Sequence, residues 1–368
     1  MTTTWVRAAI GVGAWVATSI GATGIALHFS PSSARVLVLA ASGAPYLMVC
    51  TLFGVLAFSA LGNRAGVAVA GLVVVGAAAT QAPLYIGDAD PAEGPVVHVM
   101  QTNILFGGAD AAAVVTEVRD RNIGLLTVDE LSPEALEALE AAGLGTVLPH
   151  RHLSPGPAAN GTGIWSAYPL SDTVEYDGFV MSQVSATAEI PGAGPVGVYA
   201  FHPVPPVVGT DVWADELSRL HDILEQEPGT RPAVVGADFN ATYDHSQFRV
   251  LLSGRFGDAA DQVGAGHLRT YPTDKGIPPV VGIDHILVAG GSATEVETVS
   301  VPGSDHRAVV AQLRLDGVPR ISRAGFEGTK KEAAPLWRRR LLSGCEQQLR
   351  SAHDQRDRID AAAVPGAP

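Results

Sequence analysis

The chain has 368 residues, of which 47% are hydrophobic and only 17% are charged. This length allows more than one domain. No disulfide scaffold is expected, because Cys50 lies in a long apolar run and Cys345 lies in the C-terminal tail. The formal net charge of −13 comes entirely from residues after position 86, because residues 1–86 contain three arginines and no Asp or Glu.

Three apolar runs lie between and after these arginines, and each predicts a membrane-spanning helix. The runs cover residues 8–29, 36–61 and 65–86. Each has about 20 residues or more, which is enough to cross a hydrocarbon core of about 30 Å at about 1.5 Å per residue. A cleaved signal peptide and buried core helices are the alternatives, but no small-residue cleavage site follows the first run and two further runs come after it. The glycines of the first and third runs suit close helix packing.

The positions of the arginines also predict an orientation. Arg7 and Arg64 lie on one side of the membrane in this arrangement and Arg35 lies on the other. The positive-inside rule then places the N-terminus in the cytoplasm by a single charge. Since the chain crosses three times, we expect a multi-pass protein of the cell membrane whose residues after position 86 are extracytoplasmic.

In the following part of the chain, two predicted strands end in polar residues. After an acidic linker at residues 87–95, a strand pattern at residues 95–100 leads to Asn103. A helix is predicted at about residues 109–122, and the strand at residues 123–128 ends in Asp129 and Glu130. Ser132 and Pro133 then mark the start of another helix.

The same arrangement continues to the end of the predicted domain. Short strands are indicated at residues 164–166, 196–201, 280–288 and 308–313, with a helix at about residues 213–227. The second of these strands ends in His202, the third carries Asp284 and His285, and Asp305 and His306 precede the last. Many strands separated by few helices indicate an α/β or α+β fold.

The stretch 232–242 is the most informative. A buried strand stops at Gly236 and is followed by Asp238, Phe239 and Asn240. On an extended backbone the side chains of Asp238 and Asn240 point the same way while Phe239 enters the core. Such a pair binds a cation, accepts a proton or contacts a phosphate; the alternative is a turn without catalytic function.

This ordered series resembles the endonuclease/exonuclease/phosphatase superfamily, which includes DNase I-like nucleases, inositol-polyphosphate phosphatases and sphingomyelinases. The resemblance covers about residues 96–313 and rests on Asn103, on Glu130 and His202 after strands, and on the segments 236–240, 283–285 and 303–306. It implies a four-layer sandwich of two packed β-sheets flanked by helices, with the site at one end.

The resemblance also implies roles for single residues. Glu130, Asn103 and Asp305 are expected to bind Mg²⁺, with Mn²⁺ as the alternative, because magnesium prefers oxygen ligands. Asp238 orients or deprotonates the attacking water, and Asn240 hydrogen-bonds the phosphate. His306 and Asp284 form a base with its orienting carboxylate, and His202 is a general acid or phosphate donor.

Some of these residues have structural alternatives. Glu130 is also placed to cap the following helix, and Asp305 with Ser304 to form a turn. His245 and His285 are interpreted as structural or accessory. Residue 129 is Asp where the family commonly has Gln, and this extra carboxylate either alters metal affinity or faces away.

Charge and membrane anchoring guide the choice of substrate. Residues 87–315 hold 11 basic and 30 acidic groups, a net charge of −19, which disfavours a nucleic acid as substrate. A membrane anchor instead raises the effective concentration of lipid substrates. The layout resembles a bacterial membrane-anchored branch linked to glycopeptide (vancomycin/teicoplanin) resistance, so undecaprenyl pyrophosphate is the expected substrate. A cell-surface nuclease or other phosphodiesterase and a non-catalytic membrane binding protein are the alternatives; no obligate protein partner is inferred.

The predicted organisation is a membrane domain at residues 1–86, a linker at 87–95, a catalytic domain at 96–315 and a tail at 316–368. The tail is basic, with ten Arg or Lys against seven Asp or Glu. It is predicted to be either disordered or an amphipathic helix on anionic lipid.

Overall fold

The structure is a computed structural model that describes residues 2–87 and 92–317. The predicted tail lies outside the described residues except for its first two positions, and so does Cys345. The middle of the predicted linker, residues 88–91, is also outside them.

The N-terminal part contains three helical segments that are long and apolar enough to cross a membrane. By length and composition these are Thr4–His28, Ala44–Leu61 and Arg64–Leu84. The helices that form this part are α1 (Thr2–His28), α2 (Arg35–Ala41), α3 (Ala44–Val49), α4 (Thr51–Leu61) and α5 (Arg64–Gln81), and a short 3₁₀ turn, Ala82–Leu84, follows α5.

The second apolar run, which the sequence predicts as one helix over residues 36–61, is divided in the structure. Helix α2 ends at Ala41, and Pro45 lies at the start of α3. Proline favours the first turn of a helix and lacks the N–H that a continuous helix needs. The candidate span therefore begins at Ala44, and α2 is a separate short helix.

Glycines allow the candidate spanning helices to approach closely, as the sequence predicts for Gly21 of the first run; Gly54, in the second run, was not among the predicted residues. A Cβ atom added to Gly21 of α1 would lie 1.6 Å from Thr51 Oγ1, and one added to Gly54 of α4 would lie 2.3 Å from Thr18 Oγ1. Larger side chains at these two positions would push α1 away from α4.

The remaining described chain forms two six-stranded sheets, whose strands begin at Val96 and end at Leu315. The first sheet has the order β11-β12-β1-β2-β4-β3 and the second the order β5-β6-β7-β8-β10-β9. The strands are β1 (Val96–Asn103), β2 (Leu125–Asp129), β3 (His150–Ser154), β4 (Thr162–Ser166), β5 (Leu170–Glu175), β6 (Val184–Ile190), β7 (Gly194–Phe201), β8 (Ala233–Asp238), β9 (Gly257–Asp258), β10 (Asp284–Ala289), β11 (Gly291–Ser300) and β12 (Arg307–Leu315).

Helices cover the outer faces of both sheets, which confirms the predicted four-layer sandwich. One apolar cluster lies between the sheets, a second lies between the β8 sheet and its helices, and a third lies between the β1 sheet and its helices. The helices of this part are α6 (Ala111–Asp120), α7 (Pro133–Ala141), α8 (Leu144–Val147), α9 (Thr210–Glu225), α10 (Ser246–Leu251) and α11 (Ala259–Val263).

Strand directions bring the polar strand ends to a single edge of the sandwich. In the first sheet, β1 is parallel to β2 and antiparallel to β12. In the second sheet, β8 is parallel to β7 and antiparallel to β10. The ends of β1, β2, β7 and β8 therefore lie beside the starts of β10 and β12, where the candidate site residues are found.

The N-terminal helices contact the sandwich through polar and apolar groups. His28 Nδ1 of α1 lies 2.8 Å from Asp244 Oδ1, and Gln81 of α5 donates to the same oxygen at 3.0 Å. Val38 of α2 is 2% exposed and belongs to the apolar cluster that contains Phe239 and Phe248. The short helix outside the candidate span is thus part of the core of the sandwich.

Candidate active site

All eight residues that the sequence predicts for the site lie at this common edge. The centre of the cluster is the carboxylate of Asp238, at the end of β8. Its Oδ2 accepts a hydrogen bond from Asn103 Nδ2 at 3.1 Å and lies 3.8 Å from Nε2 of both His202 and His306. Two separate sheets therefore supply side chains to one buried carboxylate.

Asn103 and Glu130 form a second pair beside Asp238. Asn103 Nδ2 donates to Glu130 Oε1 at 3.1 Å, and Phe106 N donates to Glu130 Oε2 at 3.0 Å. Glu130 has a φ of 61°, in the left-handed region that non-glycine residues rarely adopt. This backbone conformation turns Glu130 away from the strand direction directly after β2 and towards Asn103, and such local strain is common at functional sites. In the helix that follows, Ser132 is the N-cap, so Glu130 does not cap it.

Asp129 stabilises the edge of the sandwich where the site lies, through hydrogen bonds to both sheets. Its Oδ2 accepts from the backbone N–H of Asp238 at 2.8 Å and from Gln101 Nε2 at 3.0 Å, which joins the two sheets. Burial, with the neighbouring charge of Asp238, raises the pKa of Asp129 well above its usual value, despite the hydrogen bonds that lower it. Of the two sequence alternatives for this residue, the structure favours the one in which it faces away from Glu130.

His306 and Asp284 form a hydrogen-bonded pair, as the resemblance implies. His306 Nδ1 lies 2.8 Å from Asp284 Oδ2. Burial on its own lowers the pKa of His306, but the charges of Asp284 and Asp238 outweigh it and raise the pKa to about 10. The imidazole is therefore protonated at neutral pH, with its Nε2–H directed towards Asp238 and Asp305 at 3.8 and 3.9 Å.

The pKa of His202, in contrast to that of His306, is lowered. Burial and the nearby charge of His306 lower its pKa to about 4, so this imidazole is neutral at pH 7. A neutral ring favours the role of hydrogen-bond donor to phosphate over that of general acid. Gln183 holds the backbone of His202 through two hydrogen bonds, one from His202 N and one to His202 O, each 2.7 Å.

Asn240 reaches the site differently from the sequence prediction. Strand β8 ends at Asp238, and Asn240 has a φ of 52°, so the alternation of an extended strand does not continue to it. Its N–H donates to Asp238 Oδ1 at 2.9 Å and its Nδ2 donates to Pro203 O at 3.2 Å. Asn240 therefore lies beside Pro203, the residue after His202, while Phe239 is fully buried as predicted.

A turn places Asp305 at the rim of the site. Ser304 Oγ donates to Asn103 O at 2.8 Å and accepts from His306 N at 3.0 Å. Thr273 N donates to Asp305 O at 2.8 Å, which leaves the Asp305 carboxylate directed to the site. Ser304 and Asp305 do form a turn, and that turn positions the carboxylate.

Two further histidines have structural partners. His285 Nδ1 lies 2.6 Å from Asp258 Oδ2, and its Nε2 lies 3.0 Å from Ala241 O. His245 Nε2 lies 2.9 Å from Val38 O in α2. Both rings are engaged away from Asp238, in agreement with their structural interpretation.

The donor set fits a divalent cation. Four carboxylates, those of Glu130, Asp238, Asp284 and Asp305, surround a single imidazolium, and burial with carboxylate repulsion raises the pKa of Asp238 to about 7. Burial also raises the pKa of Glu130. A hard cation with oxygen ligands would offset this excess of negative charge.

The predicted ligands differ in how ready they are to bind this cation. Each oxygen of Glu130 has one donor, and a carboxylate accepts about four hydrogen bonds or metal contacts in total. The Asn103 oxygen accepts from Leu105 N at 2.9 Å, and its amide nitrogen faces the carboxylates. Asn103 would therefore have to turn over to ligate. Ligand atoms of Asp238, Asp284 and His306 also lie within 4.8 Å of one another, but the hydrogen bond between His306 and Asp284 already explains this group.

The sequence analysis missed three residues of the site environment. Gln183 fixes His202, the Tyr271 ring lies 4.8 Å from that of His306, and Thr270 O accepts from Arg307 N at 2.9 Å. Thr270 and Tyr271 lie between α11 and β10, outside the segments that carry the family resemblance. Gln183 precedes a strand with no distinguishing pattern.

The fold is similar to that of solved TDP2 structures. A humanized TDP2 from D. rerio with 14 mutations is 12% identical, with a TM-score of 0.52, and the match covers 60% of this chain and 99% of that chain. D. rerio TDP2 complexed with a single-strand DNA product is 14% identical, with a TM-score of 0.52, and the match covers 60% and 99%. These similarities show the fold. No curated protein matches the sequence significantly.

The family follows from the sequence itself. The model of the Endonuclease/Exonuclease/phosphatase family matches residues 100–306, which is more than half of the chain and extends from the strand of Asn103 to His306. The matched residues contain the whole cluster around Asp238 described above. The chain therefore belongs to the endonuclease/exonuclease/phosphatase family and is a phosphoester hydrolase.

Proposed function

We propose that this protein is a membrane-anchored, divalent-metal-dependent hydrolase of phosphorylated lipids, with undecaprenyl pyrophosphate as the substrate. One observation carries the proposal: the loop that leaves the catalytic strand is attached to the candidate spanning helices. Asp238 ends β8, and Asp244, six residues later, contacts both His28 and Gln81. The catalytic edge therefore lies beside the membrane helices.

Further contacts from the same segment support this placement. Ser246 Oγ donates to Ser30 O at 2.7 Å, and Tyr46 OH donates to Val280 O at 2.5 Å, four residues before Asp284. Together with the contacts of Asp244, these two hydrogen bonds hold the site beside the candidate spanning helices.

Loops around the site expose apolar side chains. Phe106, whose N–H binds Glu130, is 53% exposed; Val208, in the loop after His202, is 71% exposed; and Ile277, in the loop before Asp284, is 55% exposed. Exposed apolar groups around a site commonly mark contact with another protein or with a membrane. A lipid surface fits these loops and the acidic charge of residues 87–315 better than a nucleic acid does.

In this proposal, Glu130 and Asp305, with Asn103 after its amide turns over, hold Mg²⁺, and Mn²⁺ is the alternative. When bound, the metal neutralises the phosphate charge and favours attack at phosphorus. Asp238 accepts the proton of the attacking water, since a group with a pKa of about 7 is suited to act as a base at neutral pH. Asn240 reaches the phosphate from beside Pro203.

The two histidines have different tasks. The protonated His306 donates its Nε2–H to the phosphate and stabilises the negative charge that builds up on it, and Asp284 keeps the ring charged and oriented. The neutral His202 adds a second hydrogen bond without adding charge. Asp238 lies 3.8 Å from each histidine, which is too close for an atom to lie between them, so a phosphate oxygen would contact these groups from beside the pair.

The proposed location follows the arginine pattern. The N-terminus lies in the cytoplasm, and the catalytic edge lies on the outer surface of the cell membrane. This is the surface on which a lipid carrier released from cell-wall synthesis carries its pyrophosphate, as in the glycopeptide-resistance branch that the layout resembles. Reporter fusions placed after residue 86 test the orientation; activity only of cytoplasmic reporters would overturn it.

Phosphate release by the detergent-purified protein tests the function. The assay compares undecaprenyl pyrophosphate with DNA, in Mg²⁺ and in EDTA, and uses Asp238→Ala as the inactive control. We expect Mg²⁺-dependent release from the lipid that EDTA and the substitution both abolish. Cleavage of DNA together with an inert lipid would make the protein an anchored nuclease instead.

A further inference from the structure

A cavity of about 390 Å³ lies between the candidate spanning helices and the sandwich. Its lower walls come from α3 and α4 on one side, through Val49 and Leu52, and from α5 on the other, through Val74 and Ala78. Its upper walls come from the sandwich, through residues that include Leu268 and Val281. The volume is within the range of about 300–1,000 Å³ that is usual for ligand sites.

The cavity opens sideways at the depth of the bilayer. Val49 and Leu52 line it and are nevertheless 62% and 49% exposed. Leu52 is eight residues from the start of the candidate span at Ala44, which is about 12 Å along the helix axis. A space at this depth with exposed apolar walls is accessible from the hydrocarbon core of the membrane.

The upper end of the cavity lies next to the catalytic cluster. Of the candidate site residues only Asp284 lines it, and the carboxylate of Asp284, the partner of His306 at 2.8 Å, is fully buried. On another wall, the chain runs from Leu268 through Arg269 to Thr270, whose carbonyl oxygen accepts from Arg307 N beside His306. A hydrocarbon chain in the cavity would therefore leave its head group beside the loops that border the catalytic cluster.

Charges in the walls determine which part of a lipid lies inside. Asp244 and Asp258, both buried, line the cavity and disfavour an anionic head group there. Arg269 is exposed, with its guanidinium 5.6 Å from the centre of the Tyr46 ring, and both residues belong to the walls. Tyrosine and arginine are common at the level of lipid head groups. The cavity thus suits a hydrocarbon chain, with the phosphate outside it.

From these observations we infer that the cavity binds the hydrocarbon chain of the phosphorylated lipid substrate, next to the head group. The inference rests on the proposed function and specifies how that substrate is recognised. The isoprene units nearest the pyrophosphate lie between α3–α4 and α5, and the rest of the chain continues into the bilayer. The cavity then selects substrates by the presence of a long chain, and the cluster at Asp238 acts on the pyrophosphate.

Filling the cavity from either side tests the inference. Ala78→Phe fills it from α5 and Leu52→Trp from α4; Leu72→Phe is the control, because Leu72 is 73% exposed on α5 and does not line the cavity. Activity of the full-length protein is measured on undecaprenyl pyrophosphate and on geranyl pyrophosphate, which shares the head group but has a short chain. We expect each filling variant to raise KM for the long-chain lipid at least tenfold and to change kcat/KM for the short one less than twofold. The control changes neither.

Unchanged KM for the long-chain lipid in both filling variants would overturn the inference, and so would equal loss on both substrates. If the wild-type protein releases no phosphate from either substrate, the proposed function fails, and binding still tests the cavity. A photoactivatable polyprenyl pyrophosphate should label peptides of α4 and α5 in the Asp238→Asn protein. Competition by undecaprenyl pyrophosphate but not by bulk phospholipid supports the inference. Equal competition by phospholipid would show that the cavity holds bulk acyl chains instead.

Discussion

The carboxylate of Asp129 accepts a hydrogen bond from the backbone N–H of Asp238 at 2.8 Å, across the interface between the two sheets. The same oxygen accepts from Gln101. One buried acid thus supports the catalytic strand of the other sheet. Burial raises the pKa of Asp129 well above its usual value, although these two hydrogen bonds act to lower it.

Replacement of Asp129 by Ala is expected to harm both stability and activity. The substitution leaves two buried donors without an acceptor, at a cost of about 1–3 kcal/mol each, and releases the end of β8. Asp129→Asn retains an acceptor oxygen and should cost much less. Thermal unfolding and kcat measure the two effects; equal behaviour of the Ala and Asn variants would contradict the supporting role.

Removal of His306 tests the charged member of the pair. His306→Gln should lower kcat by about 10²–10⁴-fold, because the positive donor at the phosphate is lost. Asp284→Asn keeps a hydrogen-bond acceptor for the ring but removes the charge, so an intermediate loss is expected. His221→Gln on α9 is the control; a loss of similar size there would point to a general effect of the substitution on folding.

Substitution of Glu130 should change the metal requirement. Glu130→Gln keeps the size of the side chain and removes the charge that attracts the cation, so the Mg²⁺ concentration for half-maximal activity is expected to rise at least about tenfold. Glu134→Gln, on the exposed start of α7, serves as the matched control. Metal titration of both variants gives the answer, and an unchanged Mg²⁺ requirement in Glu130→Gln would remove this residue from the ligand set.

The pair of His285 and Asp258 predicts a pH dependence of stability. Burial lowers the pKa of His285, but Asp258 outweighs this and raises it above the usual 6.5. A raised folded-state pKa stabilises the protein fully below about pH 6.5. This contribution is lost as the pH rises through the folded-state value.

Thermal unfolding between pH 5.5 and 9 checks this dependence. This pH range extends about one unit or more below and above the usual histidine pKa of about 6.5. We expect the difference in Tm between the wild-type protein and His285→Gln to be largest at low pH and to shrink at high pH. A difference that grows with pH would show that the sign is wrong.

Because α1 packs closely against α4, we expect a single methyl group added at Gly21 to lower the stability of the protein. Gly21→Ala places a carbon atom 1.6 Å from the present position of Thr51 Oγ1 and should destabilise the helix bundle by about 1–3 kcal/mol. Gly71→Ala on α5 is the control, since no atom lies within 4 Å of its added Cβ. Comparison of the Tm values in detergent tests this; equal Tm values would argue against tight packing at Gly21.

Much of the site could be predicted because its residues follow buried apolar strands. Asn103, Glu130, His202 and Asp238 each end such a strand, and strand direction then brings them to one edge. The conformation of Asn240 was not predictable in this way. Its positive φ accompanies a hydrogen bond to Asp238, two residues earlier, and another to Pro203, which is distant in the sequence. The pattern for an extended strand was applied two residues too far.

Two of the strands that were not predicted, β5 and β11, lie at the edges of their sheets. Strand β5 is mostly exposed at an edge and has little apolar pattern, and β11, which forms a hairpin with β12, is also an edge strand and only partly buried. The division of the second apolar run was signalled by Pro45, but hydrophobicity alone does not separate a spanning helix from a helix buried in protein. Lipid and protein interiors demand the same apolar side chains.

Helix α2 packs into the catalytic domain, although it belongs to the N-terminal part of the chain. Val38 is buried among apolar side chains of the sandwich, and the carbonyl oxygen of the same residue lies 2.9 Å from His245 Nε2. A protein shortened to begin at residue 92 would lose Val38 and expose the apolar side chains of the sandwich that Val38 covers. The same contacts would hold the two pieces together after a protease cuts the segment between α5 and β1. Residues that precede the sandwich in the chain are therefore needed to complete its apolar core.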